Sequence, residues 1–346
     1  MFMLALLALA ADIPRAAVDA AVGRLLKEHR VPGAAVAVVI DHRVAWAAGY
    51  GVREKGGAAV TDATLFQMAS VSKPVTGVVA AALAEQKRVD LDRDVNDYLK
   101  GWKVPAAPAG AVTLRTLLGH RAGLTVHGFG GYPAGAAVPT LVQTLDGKPP
   151  ANSPVVRYKP DAGSPVRYSG GGFCVAQLAL SELTDRSFAE LMKVELFDKL
   201  RLSRATFEQP LPEALRGDAA TAHDTAGTPY SGKYHTYPEQ AAAGLWASAG
   251  DVAAIFADLS AACAGKRSRI LGRAAARDLF ATGVGWPARY TGRVFWASHG
   301  GSNAGFRCLV STHPADGRGV VVLTNSDAGD KMTEAVVSAV RRAYKW

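Results

Sequence analysis

Residues 66–74 read Phe66-Gln67-Met68-Ala69-Ser70-Val71-Ser72-Lys73-Pro74. An apolar run over 75–86 follows this stretch and predicts a helix that begins near Ser70. Serine and lysine three positions apart on a helix share one face, with Cβ atoms about 5–6 Å apart. Pro74 agrees with this placement, because proline is tolerated in the first turn of a helix. The stretch therefore predicts a hydroxyl and an amine side by side at a helix N-terminus.

This Ser-x-x-Lys pair is a candidate for nucleophilic chemistry. A serine hydroxyl is a poor nucleophile until a base takes its proton, and an amine can be that base when burial or nearby cations lower its pKa. Free N–H groups at the helix start would stabilise the oxyanion that forms on a substrate carbonyl when Ser70 attacks it. Taken alone, the spacing also fits a capping serine followed by a solvated lysine.

A second candidate is Tyr168-Ser169-Gly170, which follows a predicted turn over 161–165 and precedes a predicted helix over 175–183. A loop tyrosine beside a lysine can shuttle protons, because the cation favours the phenolate. Taken alone, Tyr168 also fits a partly buried aromatic residue.

A third candidate is His299-Gly300-Gly301-Ser302-Asn303, which follows a predicted strand over 294–298. Glycines let a substrate backbone approach the edge of a sheet closely. A histidine at that edge can bind a carboxylate or help to move a proton. Taken alone, His299 also fits a surface histidine in a glycine turn.

The three motifs in this order resemble the serine β-lactamase and penicillin-binding protein superfamily, and most closely its class C β-lactamase-related serine hydrolases. The resemblance runs from about residue 15 to 345 and includes the segments 117–124 and 244–251. It implies that Ser70 is the acylated nucleophile, Lys73 its first proton acceptor and Tyr168 a base. His299 stands where family members place lysine or histidine. Gly300, Gly301 and Ser302 would then face the substrate, with the backbone N–H groups of Ser70 and Ser302 as the oxyanion hole.

Two departures from the family pattern bear on the substrate. Gly170 stands where the middle triplet often ends in asparagine, and His299 stands where the last triplet often begins with lysine. Both changes favour an esterase or DD-peptidase-like hydrolase of a small-molecule or peptide ester or amide, with weak β-lactam hydrolysis. A penicillin-binding sensor that is acylated without efficient turnover, or a true β-lactamase, remains as the alternative.

The rest of the chain predicts an α/β (α+β) fold, with an antiparallel sheet flanked by terminal helices and an inserted, mainly helical lobe. Residues 12–60 and 287–346 form the α/β lobe, and residues 61–286 form the helical lobe. Asp12 is the expected N-cap of the first helix, which is followed by a hairpin over 34–50. The expected C-terminal elements are strands over 293–298, 306–312 and 319–324, and a helix from about residue 330.

Composition bounds the remaining classes of function. Of 346 residues, 39 are Lys or Arg and 30 are Asp or Glu, a net charge of +9, but the excess is scattered, so nucleic-acid binding is not expected. No run reaches the roughly 18 apolar residues of an integral membrane span. The three cysteines form no CxxC pair. The spacing of His223, Asp224 and His235 does not fit a metal site. The expected chemistry requires no metal and no organic cofactor. Oligomeric state is not readable from the sequence.

Two further segments of the chain carry expectations. Residues 1–11 are apolar and end in small residues, which is typical of a secretory signal peptide and predicts export to the periplasm or medium. They lack a basic n-region, so a cytoplasmic location stays open. The aromatic residues Tyr132, Tyr237, Trp246 and Trp286 fall in predicted loops and suit either the cleft or the core.

Overall fold

The computed structural model describes residues 2–160, 166–286, 290–291 and 294–346, with no side-chain description for 2–13, 290–291 and 294. The α-helices are α1 (Phe2–His29), α2 (Ser72–Glu85), α3 (Leu114–Leu118), α4 (Leu141–Asp146), α5 (Gly170–Thr184), α6 (Phe188–Met192), α7 (Asp198–Leu200), α8 (Glu213–Arg216), α9 (Gln240–Ala243), α10 (Ala249–Cys263), α11 (Arg273–Thr282) and α12 (Gly329–Ala343). The strands are β1 (Gly33–Ile40), β2 (Arg43–Gly51), β3 (Phe66–Gln67), β4 (Trp246–Ala247), β5 (Tyr290–Thr291), β6 (Val294–Phe295), β7 (Ala297–Asn303), β8 (Phe306–His313) and β9 (Arg318–Thr324). Short 3-10 helices span Ala69–Val71 and Val95–Asp97, and a π-helix spans Lys193–Phe197.

A five-stranded antiparallel sheet with strand order β2-β1-β9-β8-β7 joins the two ends of the chain. Ala34 in β1 pairs with Tyr50 on one side and with Thr324 on the other. The hairpin, the strands over 306–312 and 319–324 and the closing helix are all confirmed. The expected α/β fold with helices flanking an antiparallel sheet is likewise confirmed.

Strand β1 shows why the sheet is covered on both faces. Because side chains alternate along a strand, successive residues of β1 enter two different cores. Val36 and Val38 pack with Val18 of α1 and Val336 of α12, whereas the intervening residues join the larger core that contains α2, α5 and α10. The sheet therefore lies between the terminal helices and the helical middle of the chain, and β7 is left as the edge strand beside that middle. The division into lobes at residues 60 and 287 stays a prediction.

One local expectation is wrong, one open alternative is resolved and one expectation is confirmed. Asp12 lies inside α1 rather than capping it, because the Ala- and Leu-rich residues before it have high helix propensity and continue the helix. The four aromatic residues proposed for the cleft or the core all belong to the core, since each is at most 3% exposed. The three cysteines are buried and free, as an odd number without a CxxC pair suggests.

Other expectations fall outside what the structure describes. The turn over 161–165 and Arg293 lie outside the described residues, and the side chains of residues 1–11 do so as well. Within the part of the chain that is described, no helix combines the length and apolarity that crossing a membrane needs.

Candidate active site

Ser70 lies in the 3-10 turn that leads into α2, so the α-helix begins two residues later than expected, at Ser72. Distant parts of the chain hold this turn in place. The N–H of Met68 donates to the carbonyl of Leu245 at 2.8 Å, and Cys308 Sγ donates to the carbonyl of Met68 at 3.0 Å. Ala69 has φ +45°, a left-handed conformation that costs an L-residue about 1–2 kcal/mol. Tertiary contacts thus impose a strained turn immediately before the serine.

Lys73 lies in the first turn of α2, and its side chain is only 2% exposed. Its Nζ donates to Ser70 Oγ at 3.0 Å and to the carbonyl oxygen of Ala242 in α9 at 2.8 Å. Across the described residues it makes no ion pair. The carbonyl therefore anchors the amine against the serine hydroxyl without a carboxylate competing for it.

Tyr168 approaches the same amine from a different part of the chain. The next residue, Ser169, is the N-cap of α5, because its Oγ accepts from the N–H of Gly172 at 2.8 Å. This cap fixes where the chain enters the helix. Lys73 Nζ lies 4.9 Å from the centroid of the Tyr168 ring, so the hydroxyl, the amine and the phenol meet in one place.

The His299-Gly300-Gly301 triplet lies within a strand and not after one. The expected strand end at Ser298 is wrong, because β7 pairs with β8 without interruption from Ala297 to Asn303. Since β7 is an edge strand, alternate backbone N–H groups point away from β8. His299 is 5% exposed, and its Nδ1–H donates to the carbonyl of Gly300 at 2.7 Å.

Gly301 allows this strand to lie against the Ser70 turn. A Cβ at position 301 would come within 2.5 Å of both the Met68 carbonyl oxygen and Cys308 Sγ. At Gly300 the nearest atom to such a Cβ would be 3.7 Å away, so this residue is open to the cleft. Gly301 thus allows the strand to pack against the turn, whereas Gly300 leaves open space in the cleft.

All the residues expected in the site line one cavity of about 630 Å³, which lies between α2, α9, the segment before α5 and β7. The expected residues that line it are Ser70, Lys73, Tyr168, His299, Gly300, Gly301 and Ser302. The cavity also takes in side chains to which the sequence analysis gave no role.

His127 and Phe129 line the cavity on the side of Tyr168, and the His127 ring lies 4.7 Å from the Tyr168 ring. Their sequence signal is a glycine-rich segment, which predicts only a loop. Asn303 ends β7 and donates through Nδ2 to Gln67 Oε1 at 2.8 Å and to the Ala243 carbonyl at 3.1 Å. It therefore joins three walls of the site: β7, β3 and α9.

The charged groups around the cavity are unevenly distributed. On the side of α12, the exposed carboxylates of Asp330 and Glu334 line the rim. Arg307 pairs with Asp327 at 2.9 Å and with Asp330 at 3.0 Å, so Glu334 adds a further negative charge. Behind α9, burial raises the pKa of the Glu239 carboxyl to about 7. Among the described residues, no group of three or more His, Cys, Asp or Glu side chains could hold a metal ion.

The model of the family described as Beta-lactamase matches residues 18–344. The chain belongs to the beta-lactamase family. It is 32% identical over 205 residues to penicillin-binding protein 4 of Amycolatopsis lactamdurans (58% of this chain, 50% of that protein). It is 25% identical over 183 residues to the teichoic acid D-alanine hydrolase of Staphylococcus aureus (52% of this chain, 43% of that protein). The chain thus spans about half the length of these curated relatives.

A solved structure shows the same fold over nearly the whole chain. The D-amino acid amidase from Ochrobactrum anthropi SV3, complexed with L-phenylalanine, superimposes with a TM-score of 0.76 at 20% identity. The match covers 95% of this chain and 98% of the amidase. At this identity the likeness establishes the fold.

Proposed function

We propose that this protein is a serine hydrolase that cleaves an ester or amide bond through a covalent acyl-Ser70 intermediate. The observation that carries the proposal is the 3.0 Å hydrogen bond from Lys73 Nζ to Ser70 Oγ, inside a cavity that also contains Tyr168 and the glycine edge of β7. A capping serine with a solvated lysine does not fit this site, because Lys73 is 2% exposed and directed at the serine.

In the acylation step, Ser70 Oγ attacks the carbonyl carbon of the substrate, and its proton passes to the Lys73–Tyr168 pair. The carbonyl oxygen becomes an oxyanion, which the backbone N–H groups of Ser70 and Ser302 stabilise. The C–O or C–N bond then breaks, the leaving group takes the proton, and the acyl group stays on Ser70.

In the deacylation step, a water molecule attacks the acyl carbon and loses a proton to Tyr168. The second tetrahedral intermediate collapses, the bond to Ser70 Oγ breaks, and the proton returns to the serine oxygen. His299 lines the same cavity, with its ring centroid 6.4 Å from that of Tyr168, and assists this proton transfer. No metal or organic cofactor takes part.

The charge of the rim bears on the substrate. Arg307 balances only one of the carboxylates of Asp327 and Asp330, so with Glu334 this side of the rim keeps a net negative charge. That charge repels the carboxylate of a β-lactam or of a peptide C-terminus and attracts an ammonium group. Gly170 and His299 point in the same direction, because neither provides the amide grip or the fixed positive charge common in the family. We therefore place D-alanyl esters and D-amino acid amides first among the substrates, in line with the names of two of the relatives.

The test is hydrolysis of a chromogenic ester, a D-alanyl ester and a cephalosporin by the purified protein, with mass spectrometry of the trapped acyl-enzyme. We expect many turnovers on the esters, few on the cephalosporin and an acyl group on Ser70. Ser70→Ala should lower kcat by about 10³-fold or more. A single burst per molecule would indicate the acylated sensor instead, and ester hydrolysis by Ser70→Ala at the wild-type rate would refute the proposal.

A further inference from the structure

His120, which follows α3, contacts Tyr168 and both of the residues that flank it. The carbonyl of His120 accepts from the N–H of Arg167 at 2.8 Å, and its Nδ1 accepts from the N–H of Ser169 at 3.1 Å. Its ring stacks on the Tyr168 ring, with centroids 4.3 Å apart and planes inclined by 29°. One residue therefore fixes the backbone on both sides of Tyr168 and the plane of the phenol as well.

His120 is itself held tightly. It is 4% exposed, and its ring also contacts Phe173 of α5, with the two ring centroids 5.3 Å apart. Its backbone has φ +58°, in the left-handed region. Because this buried ring contacts both Tyr168 and Phe173, a shift of the phenol would disturb the packing around the imidazole.

The hydrogen bonds of His120 require a neutral imidazole. Nδ1 accepts an N–H, so the proton of the neutral ring is on Nε2. Burial and the facing Lys73, His299 and His127 together lower the pKa of His120 to about 3, so the acceptor persists at neutral pH. Nε2 is buried and has no hydrogen-bond partner among the described residues, a cost that an apolar ring would avoid. What histidine adds over an apolar ring is the Nδ1 acceptor for the residue after Tyr168.

We propose that His120 is a positioning residue that holds the Tyr168 hydroxyl in register with Ser70 and Lys73. The inference rests on the proposed function, in which Tyr168 transfers protons. His120 touches neither the serine nor the amine through any bond described, so its effect on the reaction passes through the tyrosine. Displacing a reacting group by about 1 Å is enough to slow a reaction about 100-fold.

Two substitutions separate the contributions of the ring and of the acceptor. His120→Asn keeps an acceptor near Ser169 and tolerates the positive φ, but removes the stacked ring. His120→Phe keeps a ring and removes the acceptor. We expect each to lower kcat for a chromogenic ester by about 10–100-fold, with KM changed by less than about threefold. If one of the two fails to fold in a thermal melt, the other decides.

His42 offers a matched control away from the cleft. It is 9% exposed, has φ +62°, and its Nδ1 is bonded to Ser260 Oγ at 3.0 Å. His42→Asn therefore removes a buried, hydrogen-bonded imidazole in the same backbone conformation without touching Tyr168. It should lower the melting temperature and leave kcat unchanged.

The decisive measurement is a double-mutant cycle with Tyr168→Phe. With the hydroxyl absent there is nothing left to position, so His120→Asn should change kcat by less than about twofold in that background. An equal loss in both backgrounds, or wild-type kcat in both His120 variants, would overturn the inference while leaving the hydrolase proposal intact. If Tyr168→Phe alone is as active as wild type, the proposed role of the tyrosine fails first.

Discussion

Replacing Gly301 by alanine tests whether the close approach of β7 to the serine turn controls catalysis. The added Cβ would lie 2.5 Å from the Met68 carbonyl oxygen and from Cys308 Sγ, whereas ordinary contact begins at 3.4 Å. The strand or the turn must therefore shift by close to 1 Å, which we expect to lower kcat/KM by about 100-fold. Overpacking at a buried position of this kind should also lower the free energy of unfolding by about 1–3 kcal/mol.

The assay pairs steady-state hydrolysis of a chromogenic ester with urea unfolding of the same preparations. Gly300→Ala is the control for stability, because its Cβ would meet nothing closer than 3.7 Å and the variant should unfold like wild type. If Gly301→Ala matches wild type in both kcat/KM and unfolding free energy, the strand is not confined by the turn, and the packing argument for this glycine is wrong.

Three further outcomes follow from buried groups. Asn303→Ala leaves two buried acceptor oxygens without their amide donor and should lower the unfolding free energy by about 1–3 kcal/mol in urea melts; an unchanged midpoint would contradict this. Burial raises the pKa of Glu239 from 4.5 to about 7, so the folded state holds that proton more tightly and stability should fall as pH rises from 4.5 to 7. In the wild type this should lower the free energy of unfolding by about 3 kcal/mol between about pH 5 and pH 8, and Glu239→Gln should abolish that decrease. The same pH dependence in the variant would refute the raised pKa of Glu239. Burial also raises the pKa of Cys263 to about 11 and of Cys308 to about 12, and that of Cys174 well above its usual value. None of these thiols should react with a thiol reagent at neutral pH until urea unfolds the protein. Rapid labelling of the native protein would show that burial does not protect them.

Patterns with a short period were sufficient for most of the fold. The apolar run at the start of the hairpin over 34–50 and the helix from about residue 330 each depend on residues close together in sequence, and each matches the structure. The N-terminal boundary of α1 was wrong, because Asp12 is a strong cap signal that the helix-forming residues before it outweigh.

In the candidate site, too, local sequence predicts contacts between near neighbours but not between distant residues. Ser70 and Lys73 are three residues apart, so helix geometry alone predicted their contact. The places of Tyr168 and His299 came from the family resemblance, and no local pattern would have brought them together. His120 and Asn303 received no role, because their bonds reach 49 and 236 residues along the chain to Ser169 and Gln67. Such contacts are a property of the tertiary structure and leave no periodic trace in the sequence.

The pairing of β1 with β9 sets the order in which this protein can be completed on the ribosome. Ala34 and Thr324 lie side by side in the sheet, although they are 290 positions apart in the sequence. Until β9 has been synthesised, β1 has β2 on one side and a row of open N–H and C=O groups on the other, on a strand of valines and alanines. A nascent chain halted before residue 318 would expose an unpaired strand edge that can aggregate. We expect chaperones to be needed most before β9 has been synthesised.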